Sequence, residues 1–428
     1  MSADRTPGFN TLAIHAGAQP DPATGARVTP IYQTTSFVFD DVDHAAALFN
    51  LETFGNIYTR IMNPTQAVLE ERIAALEGGT AALAVASGHA AQLLVFHTLL
   101  EPGDEFIAAR QLYGGSINQF GYSFQKCGWT VRWADTTDAE SFRAAVTPKT
   151  KAIFAESIAN PGGIITDIEA IAKVAKEAGV PLIVDNTLAT PYLLRPKEYG
   201  ADIIVHSLTK FLGGHGNSIG GVIVDCGTFD WLASGRYPTL SQPTQSYHGI
   251  TLAETFGNFA FAIAARVLAL RDLGPAISPF NAFLILTGIE TLPLRMQRHC
   301  DNALAVAEWL SKHERVAWVN YAGLPGNAYH ALAKRYCPTG AGGVFTFGLK
   351  AGYEAGVKLV GNVKLFSHLA NIGDTRSLII HPASTTHRQL SDENRARAGA
   401  GPDVVRLSIG LEDVGDIIAD LDQALAAG

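Results

Sequence analysis

Seven short, largely apolar runs separated by helix-length segments constrain the fold of this chain more than any other feature. The runs are Ala82–Ala86, Glu105–Ala109, Thr130–Trp133, Ala152–Glu156, Leu182–Asp185, Ile203–His206 and Gly221–Val224, and Ala90–Leu100 and Ile168–Ala178 are two of the helical segments between them. Strands that are apolar along their length are buried on both faces, which calls for a mostly parallel sheet covered by helices on each side. The expected fold class is therefore α/β. Ligands of such sheets sit at the carboxyl ends of the strands. Ser87, Glu156, Asp185 and Ser207 fall at those ends.

The most informative stretch is Ser207-Leu208-Thr209-Lys210, directly after the run Ile203–His206. Burial at a strand end disfavours an ammonium ion and makes the amine nucleophilic. The hydroxyls of Ser207 and Thr209, with Gly213-Gly214-His215-Gly216 beyond, suit a phosphate. Together they point to a lysine that bonds covalently to pyridoxal phosphate (PLP); a strand-end lysine reaching solvent is the competing reading. Ser87-Gly88-His89 follows a strand and opens a helix, so backbone N–H groups and a hydroxyl form an anion site there; a serine-capped turn has the same sequence. Asp185 ends a very apolar run, where a carboxylate needs a cationic partner such as a pyridinium nitrogen, or else serves as a cap. Tyr113 is placed to stack on a planar ring and to assist proton transfer, or simply to pack. Arg406 interrupts the apolar strand Val404–Ile409 and calls for a planar anion, either an α-carboxylate or an internal acid. Tyr58 and Arg60 offer an aromatic and a cation near the N-terminus, where a solvated pair is the alternative.

Composition narrows the function classes. A net charge of -8 with no basic run argues against nucleic acid. Residues 1–20 lack the apolar core of a signal peptide, and no run reaches the roughly 18 consecutive apolar residues of a membrane helix. The expected location is the cytoplasm. Cys127, Cys226, Cys300 and Cys337 are scattered without a metal-ligand spacing, so neither metal nor disulfide is expected. Three regions are anticipated: an irregular N-terminal arm over 1–64 that packs on a neighbouring subunit, an α/β domain over 65–275, and a smaller α+β domain over 276–428.

The chain resembles the Cys/Met-metabolism group of fold-type I PLP enzymes over nearly its whole length. The likeness is carried by Tyr58-Thr59-Arg60 with Asn63-Pro64-Thr65, Ser87-Gly88, Tyr113-Gly114, Glu156-Ser157 with Asn160-Pro161, Asp185-Asn186-Thr187, Ser207–Lys210 and Arg406-Leu407-Ser408. It implies an aspartate-aminotransferase-like fold with PLP as cofactor. Lys210 would carry the cofactor. Ser87, Gly88, His89, Ser207 and Thr209 would surround its phosphate, joined by Tyr58 and Arg60 from an adjacent subunit. Tyr113 would stack on the ring, Asp185 hold its nitrogen, Thr187 contact the cofactor and Asn160 lie near the ring hydroxyl. Arg406, Ser377, Asn160 and Tyr58 would meet the substrate, and Lys210, Tyr113 and Asp185 would do the chemistry.

Within the group, the sulfhydrylase branch is favoured by Tyr247-His248-Gly249, Arg271–Gly274, Ser278–Phe283 and His381–His387. That branch implies replacement of the acetoxy group of O-acetylhomoserine by sulfide or methanethiol, in a homotetramer of two active dimers. The alternatives on the same scaffold are O-succinylhomoserine sulfhydrylation, cystathionine γ-synthesis and a methionine or cystathionine γ-lyase. Gly115 stands where methionine γ-lyases typically carry cysteine. Ala159 and Arg388 depart from commoner residues in ways that touch only substrate preference.

Overall fold

In a computed structural model, residues 7–386, 388, 393, 395 and 399–427 are described. His387 of the branch motif lies outside them. Seven strands form the main sheet: β1 (Ala81–Val85), β2 (Glu105–Ala109), β3 (Thr130–Ala134), β4 (Thr150–Glu156), β5 (Leu182–Asp185), β6 (Ile203–Ser207) and β7 (Gly221–Asp225). Their order is β1-β7-β6-β5-β4-β2-β3. All neighbouring pairs are parallel except those of β7, which runs against both β1 and β6. The sheet is thus mostly parallel, as apolar strands buried on both faces require. Ala81–Val85, Ile203–Ser207 and Leu182–Asp185 are buried along almost their whole length, whereas the edge strand Thr130–Ala134 alternates.

Two local devices aim the helices that reach the carboxyl edge. Ser87 caps the helix Gly88–Leu99, its hydroxyl accepting from the Ala90 N–H at 3.1 Å. Further along that helix, Phe96 packs into a buried aromatic cluster with Phe106, Phe120, Phe124 and Phe154, the Phe96–Phe106 centroids lying 4.3 Å apart. Each such ring contributes about 1.5–3 kcal/mol by burial, so the helix is held against the sheet with its amino end at the strand tips.

A second sheet comprises β8 (Val316–Asn320), β9 (Val344–Leu349), β10 (Ser367–His368), β11 (Leu378–Ile380) and β12 (Val404–Ser408), in the order β8-β9-β12-β11-β10. Arg406 lies in β12, opposite Thr346 on one side and Ile380 on the other. The helical run Leu252–Leu273 is long and apolar enough to cross a membrane by length and composition, but half of its apolar window is buried inside the protein. Its Arg266 pairs with Glu70 at 2.6 Å, and Glu70 also accepts from the Ala84 N–H of β1. The run is a core helix.

The N-terminal region is less irregular than its Pro and Gly content suggests. Phe9–His15 and Val42–Phe49 are helical. Ala13 is fully buried in the core, and Arg72 donates from Nε to the Ala16 carbonyl at 3.0 Å. Asp41 caps the second helix by accepting from the His44 N–H. A side-chain cap marks the second of these short helices, whereas Phe9–His15 has none.

Candidate active site

The tips of β4, β5 and β6, the amino end of Gly88–Leu99 and the side chain of Arg406 enclose one cavity of about 240 Å³. Twelve of the residues singled out in the sequence line it: Ser87, Gly88, His89, Tyr113, Glu156, Asn160, Asp185, Thr187, Ser207, Thr209, Lys210 and Arg406.

One end is suited to a phosphate. Gly88 starts the helix, and a Cβ added to it would come within 3.0 Å of the Ser207 Cβ, so the missing side chain lets the helix amino end approach the Ser207 hairpin. Thr209 is fixed by its hydroxyl, which exchanges hydrogen bonds with both the N–H and the carbonyl of Gly220. Thr187 accepts from the Ser207 N–H at 2.9 Å, tying the tips of β5 and β6 together.

Asp185 lines the same cavity. Its Oδ1 accepts from the Thr187 N–H at 3.0 Å and its Oδ2 faces the Gln92 amide at 3.4 Å. Among the described residues no lysine or arginine pairs with it, and burial pushes its pKa up. A protonated ring nitrogen is the cation such a carboxylate lacks. Tyr113 is about half exposed and lies against the His89 ring at 5.8 Å. A Cβ at Gly115 would stand 2.4 Å from the Tyr113 ring and 2.8 Å from that of His89, so glycine is what allows the two rings their present positions.

At the other end Lys210 points its Nζ at the Asn371 side-chain oxygen, 2.5 Å away. Burial, and then the nearby Arg406 charge, lower its pKa to about 8. Arg406 is itself buried, and its pKa falls to about 10. Its guanidinium donates to the Asn160 side-chain oxygen at 3.1 Å and to the Asn371 carbonyl at 3.2 Å, and it has no carboxylate partner among the described residues. A buried guanidinium held only by neutral acceptors is a receptor for a carboxylate.

A helix amino end with hydroxyls, an uncompensated carboxylate and a lysine of lowered pKa match the phosphate, ring nitrogen and aldehyde of PLP in turn. Two buried polar atoms without partners, His89 Nε2 and Gln92 Oε1, belong to residues of the same wall.

Three of the expected residues do not line the cavity of this chain, two of them expected from an adjacent subunit. Tyr58 and Arg60 lie outside this cavity, with the guanidinium 5.4 Å from the tyrosine ring and donating to the Arg271 carbonyl. Ser377, expected to meet the substrate, does not line the cavity. It is fully buried, its hydroxyl donates to Glu412 at 2.9 Å, and it accepts from the Gly410 N–H at 2.9 Å. The polar side chain that enters the cavity from this segment is Asn371. Gln92 was also missed. It lies four residues after Gly88, so helical spacing places it on the same face, and that periodicity was the signal available. Asn371 sits in an irregular segment with no period to mark it.

The profile of the Cys/Met metabolism PLP-dependent enzymes matches residues 10–426. The O-acetyl-L-homoserine sulfhydrylase of Leptospira meyeri is 54% identical over 424 residues, covering 97% of this chain and 96% of its own. The O-acetyl-L-homoserine sulfhydrylase 1 of Thermus thermophilus is 54% identical over 420 residues, 98% of this chain and 100% of its own. Among solved structures, a putative O-acetylhomoserine (thiol)-lyase from Campylobacter jejuni, which contains an N'-pyridoxyl-lysine 5'-monophosphate, superposes with a TM-score of 0.95 at 42% identity, over 98% of this chain and 100% of its own.

Proposed function

This chain belongs to the Cys/Met metabolism PLP-dependent enzymes, and from that membership we propose that it replaces the acetoxy group of O-acetyl-L-homoserine with sulfide, giving L-homocysteine and acetate. The observation that carries the reading is the Arg406 guanidinium, buried without an acid partner in the same cavity as Lys210. It binds the substrate carboxylate and thereby directs the amino-acid end towards Lys210.

Bound PLP supplies an electron sink for carbanions beside its attachment point. Asp185 keeps the ring nitrogen protonated. Lys210, whose pKa is lowered to about 8, takes the proton from Cα and returns one at the end of the cycle. A second proton passes from Cβ to Tyr113, the Cγ–O bond breaks with acetate taking the electron pair, hydrosulfide forms the Cγ–S bond, and a proton returns to Cβ. Tyr113, at the open side of the cavity, is the second acid/base, and methanethiol in place of sulfide yields methionine. The remaining expectations form one proposal: Tyr58 and Arg60 of the N-terminal arm complete the phosphate site of a second copy, the assembly is a homotetramer of two such dimers, and it works in the cytoplasm. The exposure of Tyr58 supports the first part, since two-fifths of that residue faces solvent in the single chain.

Product analysis tests the reaction. Homocysteine and acetate in equal amounts, and only with sulfide present, are expected. Ketobutyrate and ammonia at the same rate with and without sulfide would make the protein a γ-lyase instead.

A further inference from the structure

We propose that Glu156 is a positioning residue whose carboxylate sets the spacing between the ring-facing Tyr113 and the Asn160–Arg406 pair. Glu156 ends β4 and is 4% exposed. Its Oε1 accepts from the Tyr113 N–H at 2.7 Å, and its Oε2 accepts from the Asn160 N–H at 2.9 Å. The Asn160 side chain in turn receives the Arg406 guanidinium. One carboxylate therefore joins two separate loops, one bearing the group that faces the cofactor ring and the other bearing the group that steadies the carboxylate receptor.

Satisfying two backbone donors does not by itself require a charge. Glu156 lies directly opposite Asp185 in the β4–β5 register, and no cation pairs with it among the described residues. Burial next to a second carboxylate pushes its pKa up, while the Tyr113 and Asn160 N–H groups favour its ionised form. A carboxylate in such a place is unfavourable for folding, so its presence points to geometry needed by the site. Only a carboxylate offers two equivalent acceptors on one short, planar head. Glutamine has the same shape but would turn an NH₂ group towards one of the two N–H donors. Aspartate keeps the charge but is one methylene short of spanning both loops.

The test uses Glu156→Gln in the PLP-loaded enzyme and in the apoprotein. It rests on the reading above only for the cofactor. Its two main readouts, PLP dissociation and the visible circular dichroism of bound PLP, need no substrate, so they stand even if no homocysteine is formed. The expected result is an apoprotein with an unchanged melting temperature, PLP binding weakened by about tenfold or more, and a reduced visible dichroic signal per bound cofactor. KM for the amino-acid substrate should rise more than kcat falls. Wild-type PLP affinity and dichroism would overturn the proposal, and so would a loss of apoprotein stability that accounts for the whole loss of affinity. Should the glutamine variant fail to fold, Glu156→Asp replaces it. That variant is expected to lose the same two signals, and wild-type values for it would equally overturn the assignment.

Discussion

The Lys210 amine should capture an aldehyde far faster than an ordinary lysine does, and with a distinctive dependence on pH. Burial and the neighbouring Arg406 lower its pKa from 10.5 to about 8. At pH 7 about one molecule in ten then carries a neutral amine, against about three in ten thousand for an unshifted lysine, an advantage of about 300-fold. Mixing the apoprotein with pyridoxal in a stopped-flow instrument and following the absorbance between pH 6 and 10 measures this directly. Free N-acetyl-lysine run alongside removes the titration of the aldehyde itself. Because only the neutral amine attacks, the rate relative to that reference should be constant below pH 8 and fall by up to about tenfold per unit above it, where Lys210 is already deprotonated while the reference is still gaining neutral amine. Arg406→Met removes the second cause of the shift, so its inflection should move to higher pH while the part due to burial persists. A wild-type rate that keeps rising in step with free lysine up to pH 10 would refute the argument, because Lys210 would then be solvated and unshifted.

The same shift acts on stability. A base whose folded pKa is depressed destabilises the fold fully below that pKa and not at all above its unfolded value, so Lys210→Met should stabilise the apoprotein by about 3 kcal/mol at pH 7, a gain that fades between pH 8 and 10.5 in urea titrations. Arg406→Lys replaces a two-pronged donor with a point charge and leaves Asn160 Oδ1 or the Asn371 carbonyl without a donor; KM for the amino-acid ester should rise by roughly 10- to 100-fold in steady-state assays, with a smaller change in kcat. Ser377→Ala removes a buried bond to Glu412 but nothing from the cavity. It should lower unfolding free energy by about 1–2 kcal/mol while KM stays within about twofold, and a large rise in KM would return Ser377 to the substrate site.

The contrast between Ser377 and Asn371 shows what the sequence could reveal and where it stopped. The reactive groups were legible because each breaks a strong local pattern: Asp185 and Lys210 are charges at or just beyond the ends of apolar strands, and Arg406 is a charge inside one. Burying such groups is costly, so a function is the natural explanation for their presence. The run of strands was legible for the same reason, although apolar content does not encode direction, and the reversal of β7 emerged only from its pairing. Ser377 and Asn371 both look like ordinary polar residues of an irregular segment. Which of them faces the cavity depends on how β11 pairs with β12 and on Glu412, which lies 35 residues away in the chain and claims Ser377. Glu156 was visible as a strand end, yet its two partners are backbone N–H groups, which every residue but proline possesses and which no side-chain pattern can announce. Groups that react with a ligand are thus marked by residue type, whereas groups that hold them in place are marked only by tertiary geometry. The Glu156 variants probe that second kind of residue, and Lys210 probes the first.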